Sequence, residues 1–80
     1  MDRDGVFEKL NSIFRDIFDD ESIVVTESTW SGDIAGWDSL MHVTLMTEIQ
    51  DEFDVKFDMK KNASMKRVGE MADEIIRLKE

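Results

Sequence analysis

Val6, Phe7, Leu10, Ile13, Phe14, Ile17 and Phe18 recur at spacings of three and four residues, as in 7, 10, 14 and 17 or 6, 10, 13 and 17. Apolar residues recurring at that interval share one face of an α-helix. Glu8, Lys9, Asn11, Ser12, Arg15 and Asp16 fall on the other side. The spacing predicts an amphipathic helix over about residues 3 to 18, with Asp2 or Asp4 placed to suit its N-terminal dipole. A seam this broad must be buried against other helices. With only 80 residues available, those helices belong to a single domain over 1–80. No cysteine is present to staple it. A chain so short buries only about 60% of its unfolded surface, so apolar packing carries nearly all of the stability.

Residues 19 to 38 lose the helical period. Ile23, Val24 and Val25 form a short β-branched run, followed by turn and cap formers such as Thr26, Ser28, Gly32, Asp33 and Gly36. A strand at 23 to 25 has no evident partner, and an isolated one is marginal. The segment reads as a long ordered loop pinned by Ile23, Val25, Trp30 and Ile34. Loops of that length in compact domains are often functional.

Asp38 and Ser39 open a second helix running to about Phe53, roughly 22 Å long. Leu40, Val43, Met46, Ile49 and Phe53, widened by Leu45, form its expected inward face. Val55 and Phe57 alternate with charged residues in a brief extended connection. Asn62 to Lys66 reads as a short helical turn capped by Asn62. A last helix, about Val68 to Lys79, places Val68, Met71, Ala72, Ile75 and Ile76 together, with Arg77 and Lys79 at its negative end. Met46, Met59, Met65 and Met71 are expected as core filler. The fold expected is all-α: a small four-helix bundle, three helices longer and one short, with a long loop between the first and second.

Acidic residues outnumber basic ones 19 to 10, a formal charge of −9. Such a surface repels phosphodiester backbones and anionic lipid, and favours basic protein partners. Solubility alone is an equally good reason for the excess. The chain is 41% hydrophobic, too apolar for a disordered acidic tail. No stretch is long and apolar enough to span a membrane. The opening Asp2-Arg3-Asp4 lacks a signal-peptide pattern, so the expected location is the cytoplasm.

His42 is the sole histidine. That excludes a histidine-paired triad and a multi-histidine metal site, and leaves no assembled catalytic set. His42 itself reads as an exposed side chain. Asp19, Asp20 and Glu21 lack the ligand spacing of a calcium loop and read as a solvated acidic turn, so no metal is expected. What remains is Gly36-Trp37-Asp38-Ser39-Leu40, where the long loop meets a helix. Unpaired N–H groups and the dipole there favour a phosphate-linked group. Asp38 can cap the turn, Leu40 is expected to turn inward, and Ser39 exposes its hydroxyl. Taken alone, the same string caps helices that carry nothing.

Taken together, the apolar first helix, the long loop, Asp38-Ser39-Leu40 near mid-chain and an acidic second helix ending at Phe53 resemble the acyl carrier protein family. The run from Val55 and Phe57 through Met65, Val68, Ala72 and Ile75 is similar to the family's third and fourth helices, so the resemblance covers nearly the whole chain.

The resemblance implies that Ser39 accepts phosphopantetheine from coenzyme A by the action of a phosphopantetheinyl transferase. Asp38 would help that enzyme orient the magnesium-bound coenzyme. A separate loading enzyme would then place acyl, polyketide or aminoacyl groups on the arm as thioesters, and synthase enzymes downstream would use them. It further implies a monomer that catalyses nothing itself and docks through Trp37, Leu40, Met41, Glu48, Asp51 and Glu52. Trp37 suits equally a place tucked against the helix start. Met41, His42, Thr44, Thr47 and Gln50 depart from the family's acid-rich second helix, which leans toward specialised metabolism over housekeeping fatty-acid synthesis. Fatty-acid, polyketide, nonribosomal peptide and D-alanyl pathways all stay within the resemblance. The competing reading is an unmodified acidic helical adaptor for a basic protein.

Overall fold

Three aspartates set where the helices begin. Asp2, Asp38 and Asp58 each have extended backbone, and each carboxylate accepts the N–H three residues on, from Gly5 (2.6 Å), Met41 (2.9 Å) and Lys61 (2.8 Å). Each thereby satisfies a donor that the helix itself leaves unpaired. The computed structural model describes residues 2–80. It contains α1 (Arg3–Ile17), α2 (Ser39–Phe53), α3 (Met59–Ser64) and α4 (Val68–Lys79), with a 3-10 turn at Ser31–Asp33 in the long loop. No strand occurs among the described residues. The all-α bundle of three long helices and one short one is the architecture expected from the periodicity.

The core forms where α1 meets α2 and α4. Val6, Leu10, Ile13 and Phe14 pack with Leu45, Met46, Ile49 and Phe53 of α2 and with Val68, Met71, Ala72 and Ile75 of α4. Phe57 and Met65 close it on either side of α3, which buries none of its own residues. Gln50 ties the α2–α3 connection to α2: its side-chain oxygen accepts the Phe57 N–H at 2.8 Å.

Residues 23–25 belong to the long loop, as expected; Val25 is buried and donates its N–H to the Asn11 side chain at 2.7 Å, a partner on α1 in place of a neighbouring strand. Three sequence-based expectations change. The short helix is capped by Asp58, and Asn62 lies inside it. Met59 is 89% exposed, so it fills no core. Trp30 anchors the loop through its backbone, bridged to Arg67, while its indole is half exposed and lies over Gly32.

The loop is strapped to the start of α4. Ser31 donates to the Lys66 carbonyl at 2.9 Å, Val68 to that of Thr29 at 2.8 Å, and Gly69 to that of Glu27 at 3.2 Å. Arg67 caps α4 with no side-chain bond, so these loop carbonyls serve its first N–H groups instead. A Cβ at position 69 would lie 2.6 Å from the Glu27 carbonyl oxygen, so only glycine allows this approach. Arg3 fastens the outside, pairing with Glu27 and with Asp73 at 2.8 Å. Those bonds hold the Glu27 carboxyl below its ordinary range and the Arg3 guanidinium above its own.

Candidate functional site

The loop reaches α2 through a fixed corner. Gly36 adopts φ 89°, a region that residues with a Cβ avoid. It turns the next residue, Trp37, down into the protein, where only 7% of its surface stays exposed. The indole meets Phe14 edge-on with ring centres 5.4 Å apart, and stacks on His42 at 6.0 Å.

His42 is buried as well, against the exposed position expected for it. Indole nitrogen can only donate. The Trp37 Nε1–H therefore gives its hydrogen to His42 Nδ1, 3.0 Å away. That leaves Nε2 to carry the imidazole proton, which it donates to the Asn62 carbonyl at 2.8 Å. The logic of the bonds fixes the tautomer. One side chain thus joins the corner, the first turn of α2 and the body of α3. Residues 42, 45, 46, 49 and 53 form the inward stripe of α2, in place of the one expected through Leu40 and Val43.

The same phase corrects Leu40 and Val43, which are 76% and 64% exposed. Successive three-residue steps each fall about 60° short of a full turn, so counting back from Ile49 to Leu40 drifts to the opposite face. Leu40 accordingly faces solvent beside Ser39.

Ser39 is the first residue of α2 and is exposed. Asp38 precedes it in an extended conformation. Its side chain caps Met41, and its carbonyl accepts the His42 N–H at 2.8 Å. The serine stands at the mouth of a cleft of about 360 Å³ between α2, α3 and the 3-10 turn, shared with Ser31, Trp37, Val43, Ala63 and Lys66. Lys66 and Ser31 enter it from distant segments and carry no sequence signal as a pair.

The chain superposes on the solution structure of a holo acyl carrier protein from Geobacter metallireducens. The TM-score is 0.83 at 37% sequence identity, over 91% of this chain and 84% of that one. The chain belongs to the acyl carrier protein family. It is a carrier and not an enzyme. No protein-family model and no curated protein matches it. Within this carrier, the expected docking residues fall in different places. Leu40 is exposed next to Ser39, Met41 is half buried, and Trp37 is buried in the corner. Glu48 and Glu52 are exposed along a groove shared with Glu8, Lys9 and Asp16 of α1, whereas Asp51 lies by Thr47 and Lys56. No helix is long and apolar enough to cross a membrane among the described residues.

Proposed function

We propose that this carrier bears phosphopantetheine on Ser39 and presents acyl, polyketide or aminoacyl groups to partner enzymes. The observation that carries the reading is an exposed serine at the first position of α2, directly after a capping aspartate, in a chain 37% identical to a holo carrier. The site fits the group. Ser39 offers a primary hydroxyl that water and a partner can reach, and the N–H groups of the first turn favour a phosphodiester beside them. When attached, the arm supplies a terminal thiol that this cysteine-free chain lacks, and cargo is held there as a thioester.

In the transfer, the Ser39 oxygen forms a bond to the coenzyme A phosphorus that bears pantetheine. The bond from that phosphorus to the adenosine bisphosphate leaving group breaks, and the serine proton passes to a base on the transferase. Asp38 keeps the turn in register by capping Met41, and its outer carboxylate oxygen is free to meet the transferase and its magnesium. The carrier keeps Ser39 still: Trp37, two positions before it, is held by Phe14 and His42.

Leu40, Met41, Glu48, Asp51 and Glu52 form the partner-facing set, with basic partner residues opposite the acids. Met41, Thr44, Thr47 and Gln50 leave α2 less acidic than a housekeeping carrier of fatty-acid synthesis, which favours a specialised biosynthetic pathway. His42 drops out of that argument because it is buried. The test is intact mass before and after incubation with coenzyme A, magnesium and a broad-specificity phosphopantetheinyl transferase. One added phosphopantetheine, absent from Ser39→Ala, supports the proposal. No gain on folded protein with more than one transferase leaves the unmodified adaptor in its place.

A further inference from the structure

His42 carries the one imidazole in the chain, and it is 7% exposed. Both of its ring nitrogens are committed. Nδ1 accepts the Trp37 indole N–H at 3.0 Å, and Nε2 donates to the Asn62 carbonyl at 2.8 Å. Only the neutral ring can do both, because an imidazolium has a hydrogen on each nitrogen and accepts at neither. The two bonds therefore answer differently to a proton. A hydrogen on Nδ1 points at the indole N–H, donor against donor, and that bond is lost. The bond from Nε2 remains, now donated by a cation and stronger for it.

The surroundings leave the outcome to those two bonds. From α1, Phe14 and Phe18 close on the Trp37 ring. Around His42, α3 contributes Met59, Asn62 and Ala63, and α2 itself Val43 and Thr47, none of them charged. Charge comes from two residues on the cleft beside Ser39: Asp38, whose carboxylate accepts the Met41 N–H, and Lys66 from the link before α4. They are opposite in sign, one favouring an imidazolium and the other opposing it. No residue of α4 lines either cleft that His42 borders. Neither ring nitrogen faces a carboxylate that could replace the indole once a proton arrives.

We propose that His42 is an acid-sensitive latch on the corner before Ser39: neutral, it ties both Trp37 and α3 to α2; protonated, it keeps α3 and releases Trp37. What the indole bond holds is the turn at Gly36, φ 89°, whose next residue is anchored beneath α2 two positions before the serine. The proton is the ligand, and the Nδ1 lone pair is its site. Histidine is the side chain whose ordinary titration falls between about pH 5 and 8, and the chain has no cysteine to share that range. The corner is therefore rigid on the neutral side of that range and loose on the acid side, while the helices around it stay packed. The latch needs no arm on Ser39, so it stands or falls separately from the modification.

The test is an NMR titration of the isotope-labelled, unmodified full chain from about pH 8 to 5. The single imidazole reports its own protonation, and the two indole N–H signals report the loop. The Trp37 signal is expected to move with the same midpoint as the imidazole, and its N–H to exchange with solvent roughly tenfold faster once the ring is charged. Trp30, half exposed elsewhere in the loop, is the internal control and stays in place. The Nε2 proton and the core amides of Leu10 and Ile75 stay protected. His42→Asn brings an amide oxygen near the Nδ1 position, where it accepts the indole N–H and cannot titrate. Its Trp37 exchange rate is expected to change less than about twofold over the same range. Should that variant not fold, the parent titration decides alone, by the order in which the two ring bonds are lost. Trp37 unmoved as the imidazole titrates, or moving equally in His42→Asn, would overturn the proposal. So would loss of the Nε2 bond ahead of the indole bond, or an imidazole that stays neutral until Leu10 and Ile75 lose protection.

Discussion

His42→Leu tests whether the Trp37–His42–Asn62 chain holds the site together. Leucine is close in volume and apolar, so it leaves little cavity, but it returns neither hydrogen bond. The Trp37 indole N–H, buried with its ring, and the half-buried Asn62 carbonyl then lose partners at 3.0 and 2.8 Å. A buried polar group left unpaired costs about 1–3 kcal/mol. With Asn62 at the low end for its partial exposure, the two together cost about 2–4 kcal/mol. In a domain of this size that lowers Tm by roughly 10–30 °C. The assay is urea and thermal denaturation followed by far-UV circular dichroism, on the parent, His42→Leu, Trp37→Phe and the double variant. Once Trp37→Phe has removed the donor, His42→Leu has less to lose, so the cycle should show a coupling of about 1 kcal/mol. A loss under about 0.5 kcal/mol in His42→Leu, or additive single effects, would refute the reasoning.

Asp38→Ala should cost about 1 kcal/mol by uncapping Met41, while Asp38→Asn keeps most of that stability. If the transferase needs the charge, both variants take up phosphopantetheine more slowly, as timed by intact mass. Leu40→Ala should change the urea midpoint little, because Leu40 is 76% exposed, whereas Leu45→Ala should cost about 2–5 kcal/mol. Equal costs would mean the phase of α2 is wrong. Glu74 is buried, and the two Arg77 hydrogen bonds hold its carboxyl below the ordinary range despite that burial. The resulting stability is fully present above the unfolded value, about pH 4.3, and is lost as pH falls through the depressed folded one. Glu74→Gln should therefore be less stable near neutrality, and its urea midpoint should fall less on acidification than the parent's.

The helices that could be read from the chain were those whose apolar residues recur at mixed steps of three and four. The seam from Val6 to Phe18 and the stripe from Val68 to Ile76 both fix a face without ambiguity. On α2 the extent was legible but the phase was not. A run of three-residue steps from Leu40 to Ile49 looks like a stripe and in fact drifts around the helix. Choosing 42, 45, 46, 49 and 53 requires accepting histidine as an inward residue, which only its two partners make affordable. The start of α3 was misplaced because Asp58 and Asn62 are both good caps, and tertiary placement of Phe57 decides between them. Ser39 and Asp38 were visible because local chemistry marks them. The cleft beside them was not, since it is assembled from residues near 31, 42 and 66, which no local pattern connects.

The strap between the loop and α4 also bears on how the chain folds. Arg67 reaches the Ser28 carbonyl across 39 residues, and the Thr29 and Glu27 carbonyls are met from similar separations. Contacts that close so long a loop are costly before the helices have collapsed, so they belong late in the reaction. Weakening the strap, for instance with Arg3→Ala, should then leave the folding arm of a chevron nearly unchanged and steepen the loss of the native state through faster unfolding. Slower folding instead would place the strap in the nucleus. The residues that pin the loop beneath Ser39 would thus act mainly as a latch on lifetime, setting how long a loaded carrier stays native between encounters.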